Sequence, residues 1–108
     1  VEEVVNSPLV ADPLHRLDCC VISDGGGALV VTRPEIARAL SRPRVVVRGT
    51  GEAMIGQFGG YADLTSSGAR FSGPRAFAEA GVTPADIRYA SIYDSFTITV
   101  LIQLEDLG

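Results

Sequence analysis

The chain has 108 residues, 46% of them hydrophobic, no Trp and a net charge of −4. Its scattered arginines form no basic stripe, which excludes a nucleic-acid footprint, and Asp24 and Asp94 interrupt the only apolar runs that approach the roughly 20 residues of a membrane helix. The length allows one modest domain, but so apolar a unit is expected to set part of its surface against another domain or subunit.

Residues 1–16 are polar and broken by Pro8 and Pro13, so no long element is expected there. Leu17–Ile22 reads as a short buried strand, Ser23–Gly27 as a turn and Ala28–Val31 as a second strand. Thr32, with Pro34 and Glu35 behind it, predicts a capped helix whose apolar face is Ile36, Ala39 and Leu40, ending before Pro43. Val45–Val47 reads as a third strand, leaving through Gly49-Thr50-Gly51.

Residues 52–70 make a glycine-rich connection too long for a plain loop, in which Met54, Phe58 and Tyr61 are candidates for an apolar pocket wall or for ordinary packing. Ser72 is expected to cap a helix over Pro74–Ala80 that stops at Gly81. Thr83-Pro84-Ala85-Asp86 is a capping box opening a single turn, Ile87–Ile92 reads as a strand, and Phe96–Leu107 as a helix apolar enough to be buried. Alternating strands and helices predict one α/β unit: a mixed, mostly parallel sheet with helices packed on it.

Few residues carry chemistry. Asp24-Gly25-Gly26-Gly27 lacks the Lys-Ser/Thr ending of a phosphate loop, and Gly49-Thr50-Gly51 lacks the rest of a dinucleotide fingerprint. Both are read as turns where backbone approaches backbone. Cys19 and Cys20 are adjacent, a poor geometry for an ordinary disulfide, so reduced thiols and a cytoplasmic setting are expected. With His15 as the sole histidine they complete no metal shell, and a buried filler role is the commoner use of such cysteines.

Tyr93-Asp94-Ser95-Phe96 differs. It follows a predicted strand and opens a predicted helix, the kind of place where ligands gather in open α/β sheets. A phenol there can donate a hydrogen bond to a developing enolate or alkoxide, or exchange a proton with it. The alternative is that Tyr93 packs while Asp94 or Ser95 caps the helix. On the residues alone both readings stand.

Gly81-Val82-Thr83-Pro84-Ala85-Asp86-Ile87, then Tyr93–Phe96, then Leu104-Glu105-Asp106-Leu107-Gly108 closely resemble the C-terminal half of thiolases, nearest the sterol carrier protein-x or lipid-transfer branch. Ser23–Val31 is similar to the Asp-Gly strand that precedes them in that family, and the likeness runs from about residue 13 to residue 108. The resemblance implies two similar α/β halves packed face to face, usually as a homodimer. Residues 1–108 are expected to be an internal piece, the end of the N-terminal half and the first part of the C-terminal domain.

The implied substrate is an acyl-CoA thioester, with coenzyme A entering as part of the substrate and neither a tightly bound cofactor nor a metal. The nucleophilic Cys of the family and its His and second Cys fall outside these residues. Cys20 stands nearest a Ser that touches CoA in many thiolases, which makes it the CoA-binding candidate. Tyr93 stands where ordinary thiolases carry Asn and the sterol carrier type carries His; it occurs in thiolase-like aldolases that release steroid side chains, with an acid or base role. The resemblance therefore implies an acyl-CoA C-acyltransferase acting on lipid- or sterol-derived thioesters, with Tyr93 catalytic. The alternatives are a retro-aldolase on a steroid side-chain CoA thioester, often with a small partner subunit, and a non-catalytic lipid-transfer module.

Overall fold

A computed structural model of the chain describes residues 1–56 and 63–108. The N-terminal stretch is more regular than its prolines suggest. A single helical turn, α1 (Glu2–Val5), leads into a two-stranded antiparallel hairpin, β1 (Leu9–Ala11) with β2 (Leu14–His15), in the register Leu9 to His15 and Ala11 to Leu14. The connection holds a cis Asp12–Pro13 peptide. A 3₁₀ turn, Arg16–Asp18, follows, and the backbone N–H of His15 donates to Asp18 Oδ2 at 2.9 Å.

Helix α2 spans Pro34–Ala39. Its N-cap is Arg33 rather than Thr32, whose hydroxyl donates to the Arg33 carbonyl at 3.2 Å instead of accepting from the helix. Helix α3 spans Ala69–Ala80, five residues earlier than expected from Pro74 and Ser72. The reason lies upstream. Ser67 Oγ accepts the Ala69 N–H at 3.2 Å, while Asp106 accepts both the N–H and the hydroxyl of Ser67. Pro74 lies inside the helix, where it leaves the Arg70 carbonyl without an i+4 donor. Ser72 turns back to the Gly68 carbonyl at 3.2 Å and caps nothing.

The end of α3 is as expected. Gly81 is left-handed at φ 66°, Val82 N–H reaches Phe77 O at 3.0 Å and Gly81 N–H reaches Ala78 O at 3.2 Å, the paired bonds of a Schellman motif. Thr83 and Asp86 form the expected capping box, Asp86 Oδ2 accepting the Thr83 N–H at 2.9 Å and its hydroxyl at 2.7 Å.

Helix α4 (Thr97–Leu107) packs on α3. The two helices meet at Gly73, the one buried residue among those described, where an added Cβ would come to 2.5 Å of Leu107 Cδ2. One face of α4, running through Thr99, Val100, Gln103, Asp106 and Leu107, is half-buried. Ile98, Leu101 and Leu104 on the other face remain exposed, so the helix is covered along one side and not all round.

The extended segment 45–52 runs antiparallel along α3. Arg48 donates to the Ala80 carbonyl at 2.8 Å, a cation on the helix C-terminus, and Thr50 donates N–H and hydroxyl to Glu79 Oε2 at 2.8 and 3.2 Å. Gly49 and Gly51 are required here, because a Cβ on either would overlap the backbone carbonyl of Ala76 or Ser72. Gly25, Gly26 and Gly27, expected to serve the same purpose, have nothing within 4 Å among the described residues.

The expected strands at 17–22, 28–31, 45–47 and 87–92 form no parallel pair among the described residues. Cys19 makes an isolated antiparallel bridge with Phe96, and the rest are extended without a ladder partner. Val30 is 88% exposed and Val45 95%. The surface totals 9558 Å², against roughly 5,800 Å² for a compact monomer of this mass, and the radius of gyration is 18.0 Å against about 13 Å. Among the described residues the architecture is mixed α and β: helices, one small antiparallel sheet, and apolar β segments that lack neighbours to pair with.

Candidate functional site

Tyr93 lies between the extended segment 87–92 and α4, with its side chain 70% exposed. Three sets of hydrogen bonds fix the backbone around it. At the head of α4, Thr99 Oγ1 lies 2.6 Å from Phe96 O, 3.0 Å from Phe96 N and 2.9 Å from Ser95 Oγ. Its one proton goes to the Phe96 carbonyl and it accepts the Phe96 N–H, so the Ser95 hydroxyl must be the donor in the third contact. Phe96 is the N-cap and contributes no side-chain cap, so the reading in which Ser95 or Asp94 caps the helix is not what the structure shows.

The second set comes from the 3₁₀ turn after the N-terminal hairpin and the two cysteines that follow it. Cys20 N–H donates to Ser95 O at 3.2 Å beside the Cys19–Phe96 bridge. Thr97 Oγ1 donates to Asp18 Oδ1 at 2.8 Å. The His15 backbone N–H, then the Thr97 hydroxyl, hold the Asp18 carboxyl below its ordinary value, and the His15 imidazole at 3.9 Å adds to this. The third set is a single side chain: Gln103 Nε2 donates to Tyr93 O at 3.0 Å and to Thr99 O at 3.1 Å.

The structure thus brings the Cys20 backbone against the Tyr93–Phe96 segment, joining two candidate regions more than seventy positions apart. Cys20 itself is exposed. Cys19 is half-buried, and its Sγ lies 3.5 Å from the carbonyl oxygen of His15. A carbonyl accepts from a thiol and does nothing to stabilise a thiolate, so Cys19 is not set up as a nucleophile. Met54 belongs to a different surface depression, lined with Leu64, Ser66 and Ser67. Phe58 and Tyr61 lie outside the described residues. No helix is long and apolar enough to cross a membrane, among the described residues.

Sequence reasoning passed over Asp18, Thr99 and Gln103. Each left a signal: Asp18 and Thr99 stand three residues beyond the positions whose N–H they accept, and Gln103 is a lone amide within the apolar run Val100–Leu104.

The family model for thiolase C-terminal domain-like sequences matches residues 52–108. The chain is 38% identical to the 17-hydroxy-3-oxo-4-pregnene-20-carboxyl-CoA lyase of Mycobacterium tuberculosis, covering 100% of this chain and 30% of that protein. It is also 38% identical to the acetyl-CoA acetyltransferase of Methanothermobacter thermautotrophicus, covering 100% of this chain and 29% of that protein. A solved structure of an Ltp2-ChsH2(DUF35) aldolase superposes with a TM-score of 0.85 at 39% identity, over 99% of this chain and 30% of that one. The chain therefore spans about 30% of the length of the relatives it matches. The match over residues 52–108, more than half of the chain, places it in the thiolase C-terminal domain-like family.

Proposed function

We propose that the protein containing these residues makes or breaks a carbon–carbon bond beside a coenzyme A thioester, with the Tyr93 hydroxyl as its acid or base. The observation that carries this reading is an exposed phenol at the head of α4 on a backbone tied at Ser95, Phe96 and its own carbonyl. Residues 1–108 then form the end of one thiolase half and the start of the next. Coenzyme A is bound as part of the substrate, with Cys20 beside it.

Aldol cleavage is the reading that the phenol favours. In a β-hydroxyacyl-CoA the hydroxyl gives up its proton, the bond to the α-carbon breaks, a ketone or aldehyde leaves, and the enolate of the shorter acyl-CoA takes up a proton. A tyrosine can perform either proton transfer and needs no thiolate. Acyl transfer is the second reading, supported by a relative named acetyl-CoA acetyltransferase at the same 38% identity as the lyase. Stabilising charge on a carbonyl-derived oxygen serves both reactions. We place the protein in the cytoplasm as a homodimer, and the compound name of the similar aldolase structure supports a partner subunit beside it.

The test is to incubate the whole protein with 17-hydroxy-3-oxo-4-pregnene-20-carboxyl-CoA, and separately with acetoacetyl-CoA plus free CoA. Release of a steroid ketone and a short acyl-CoA establishes aldol cleavage. Formation of acetyl-CoA from the second mixture establishes acyl transfer, and turnover of neither refutes the proposal.

A further inference from the structure

Gln103 is a half-buried amide on the covered side of α4, flanked by Ile102 and Leu104. Its Nε2 has two protons and both are used, on the carbonyls of Tyr93 at 3.0 Å and Thr99 at 3.1 Å. Carbonyl oxygens only accept, so the amide nitrogen and not the amide oxygen faces them, and the orientation of the side chain is fixed by its partners. The bond to Thr99 O keeps the side chain folded back along its own helix. The bond to Tyr93 O leaves the helix and reaches the residue that bears the phenol, ten positions upstream. The backbone is then held on both sides of Asp94, by Gln103 at Tyr93 and by Cys20 N–H at Ser95.

We infer that Gln103 is a positioning residue for Tyr93, an inference that rests on the reading of Tyr93 as the acid or base. Fixing the peptide at Tyr93 fixes the direction in which its Cα–Cβ bond leaves the backbone, and a reacting group displaced by about 1 Å can lose on the order of a hundredfold in rate. Gln103→Leu keeps the bulk and removes both donors. Gln103→Glu keeps the shape, but its carboxylate faces two carbonyl oxygens; only its protonated form can donate, and then to one of them. Gln103 touches no substrate in this scheme, so its loss falls on turnover rather than on substrate binding.

The experiment is a double-mutant cycle in the whole protein, assayed with whichever of the two thioester probes it turns over. Gln103→Leu is expected to lower kcat about tenfold with KM changed less than about twofold. In a Tyr93→Phe background the same change is expected to cost nothing further, because the group it positions is gone. Gln103→Glu, which serves if the Leu variant fails to fold, is expected to regain turnover relative to wild type as pH falls and its carboxyl protonates. Full activity of the Gln103 variants beside an impaired Tyr93→Phe overturns this inference and leaves the role of Tyr93 standing. Equal losses in both backgrounds assign Gln103 a merely structural role and overturn it as well. A fully active Tyr93→Phe removes both.

Discussion

Thr97 donates its hydroxyl to Asp18 Oδ1 at 2.8 Å, joining positions 79 residues apart. The other oxygen of the same carboxylate accepts the His15 N–H at 2.9 Å. One side chain therefore closes the 3₁₀ turn after the hairpin and grips the first turn of α4, next to the segment that carries Tyr93. Removing it should loosen both. Asp18→Ala is expected to lower the melting temperature of the whole protein by a few degrees and to reduce turnover. Thr97→Val, which breaks only the contact to α4, should do less of each. Thermal melts and initial rates of both variants check this, and an Asp18→Ala protein as stable as wild type would show that the clasp is idle.

Asp106 does at the other end of α4 what Asp18 does at its start. Its carboxylate accepts the N–H and hydroxyl of Ser67, with the Ser66 hydroxyl at 3.4 Å, and so anchors the entry to α3. The Ser67 N–H and then the Ser67 hydroxyl lower its pKa from the ordinary 3.8. A carboxyl depressed on folding contributes stability above its unfolded pKa and loses it as pH falls through the folded one. Asp106→Asn should therefore be less stable than wild type at neutral pH, and the gap should close in strong acid. Denaturant titrations from about pH 7 to about pH 2 measure it; a gap independent of pH would contradict the assignment.

Gly51 and Gly73 both sit against α3 contacts but should tolerate Ala differently. At Gly51 the new methyl meets the Ser72 carbonyl, which belongs to a helix backbone and cannot turn away. At Gly73 it meets the tip of Leu107, which can change rotamer. Gly51→Ala is expected to cost about 2–3 kcal/mol and Gly73→Ala about 1 kcal/mol or less. Equal costs in chemical denaturation would mean that the segment 45–52 does not ride on α3 as described.

The local signals were the legible ones. Gly81 ends α3 because its missing Cβ suits φ 66°, and Thr83 and Asp86 close their box within four residues, so the sequence alone suffices for both. The start of α3 was not legible, since its anchor, Asp106, lies 39 positions from Ser67 and no local pattern announces it. Nor were strand partners legible. Apolar runs such as Ala28–Val31 and Val45–Val47 record a preference for burial and extension, whereas a strand exists only through its neighbour's hydrogen bonds. Val30 and Val45 carry the preference without the partner. The candidate site divides the same way. Tyr93 stood out by its place between a predicted strand and a predicted helix and by its departure from a family pattern, while its supports, Asp18 and Gln103, act through hydrogen bonds to distant backbone or side chains.

The central claim is that the Tyr93 hydroxyl takes part in bond making or breaking beside a coenzyme A thioester. Replacing Tyr93 by Phe removes one oxygen and keeps the ring, so the most direct measurement is kcat of Tyr93→Phe against wild type in the whole protein, with melting temperature followed in parallel. A drop of at least about tenfold with the melt unchanged is the predicted result, in line with the general scale of acid–base catalysis. Unchanged kcat would contradict it.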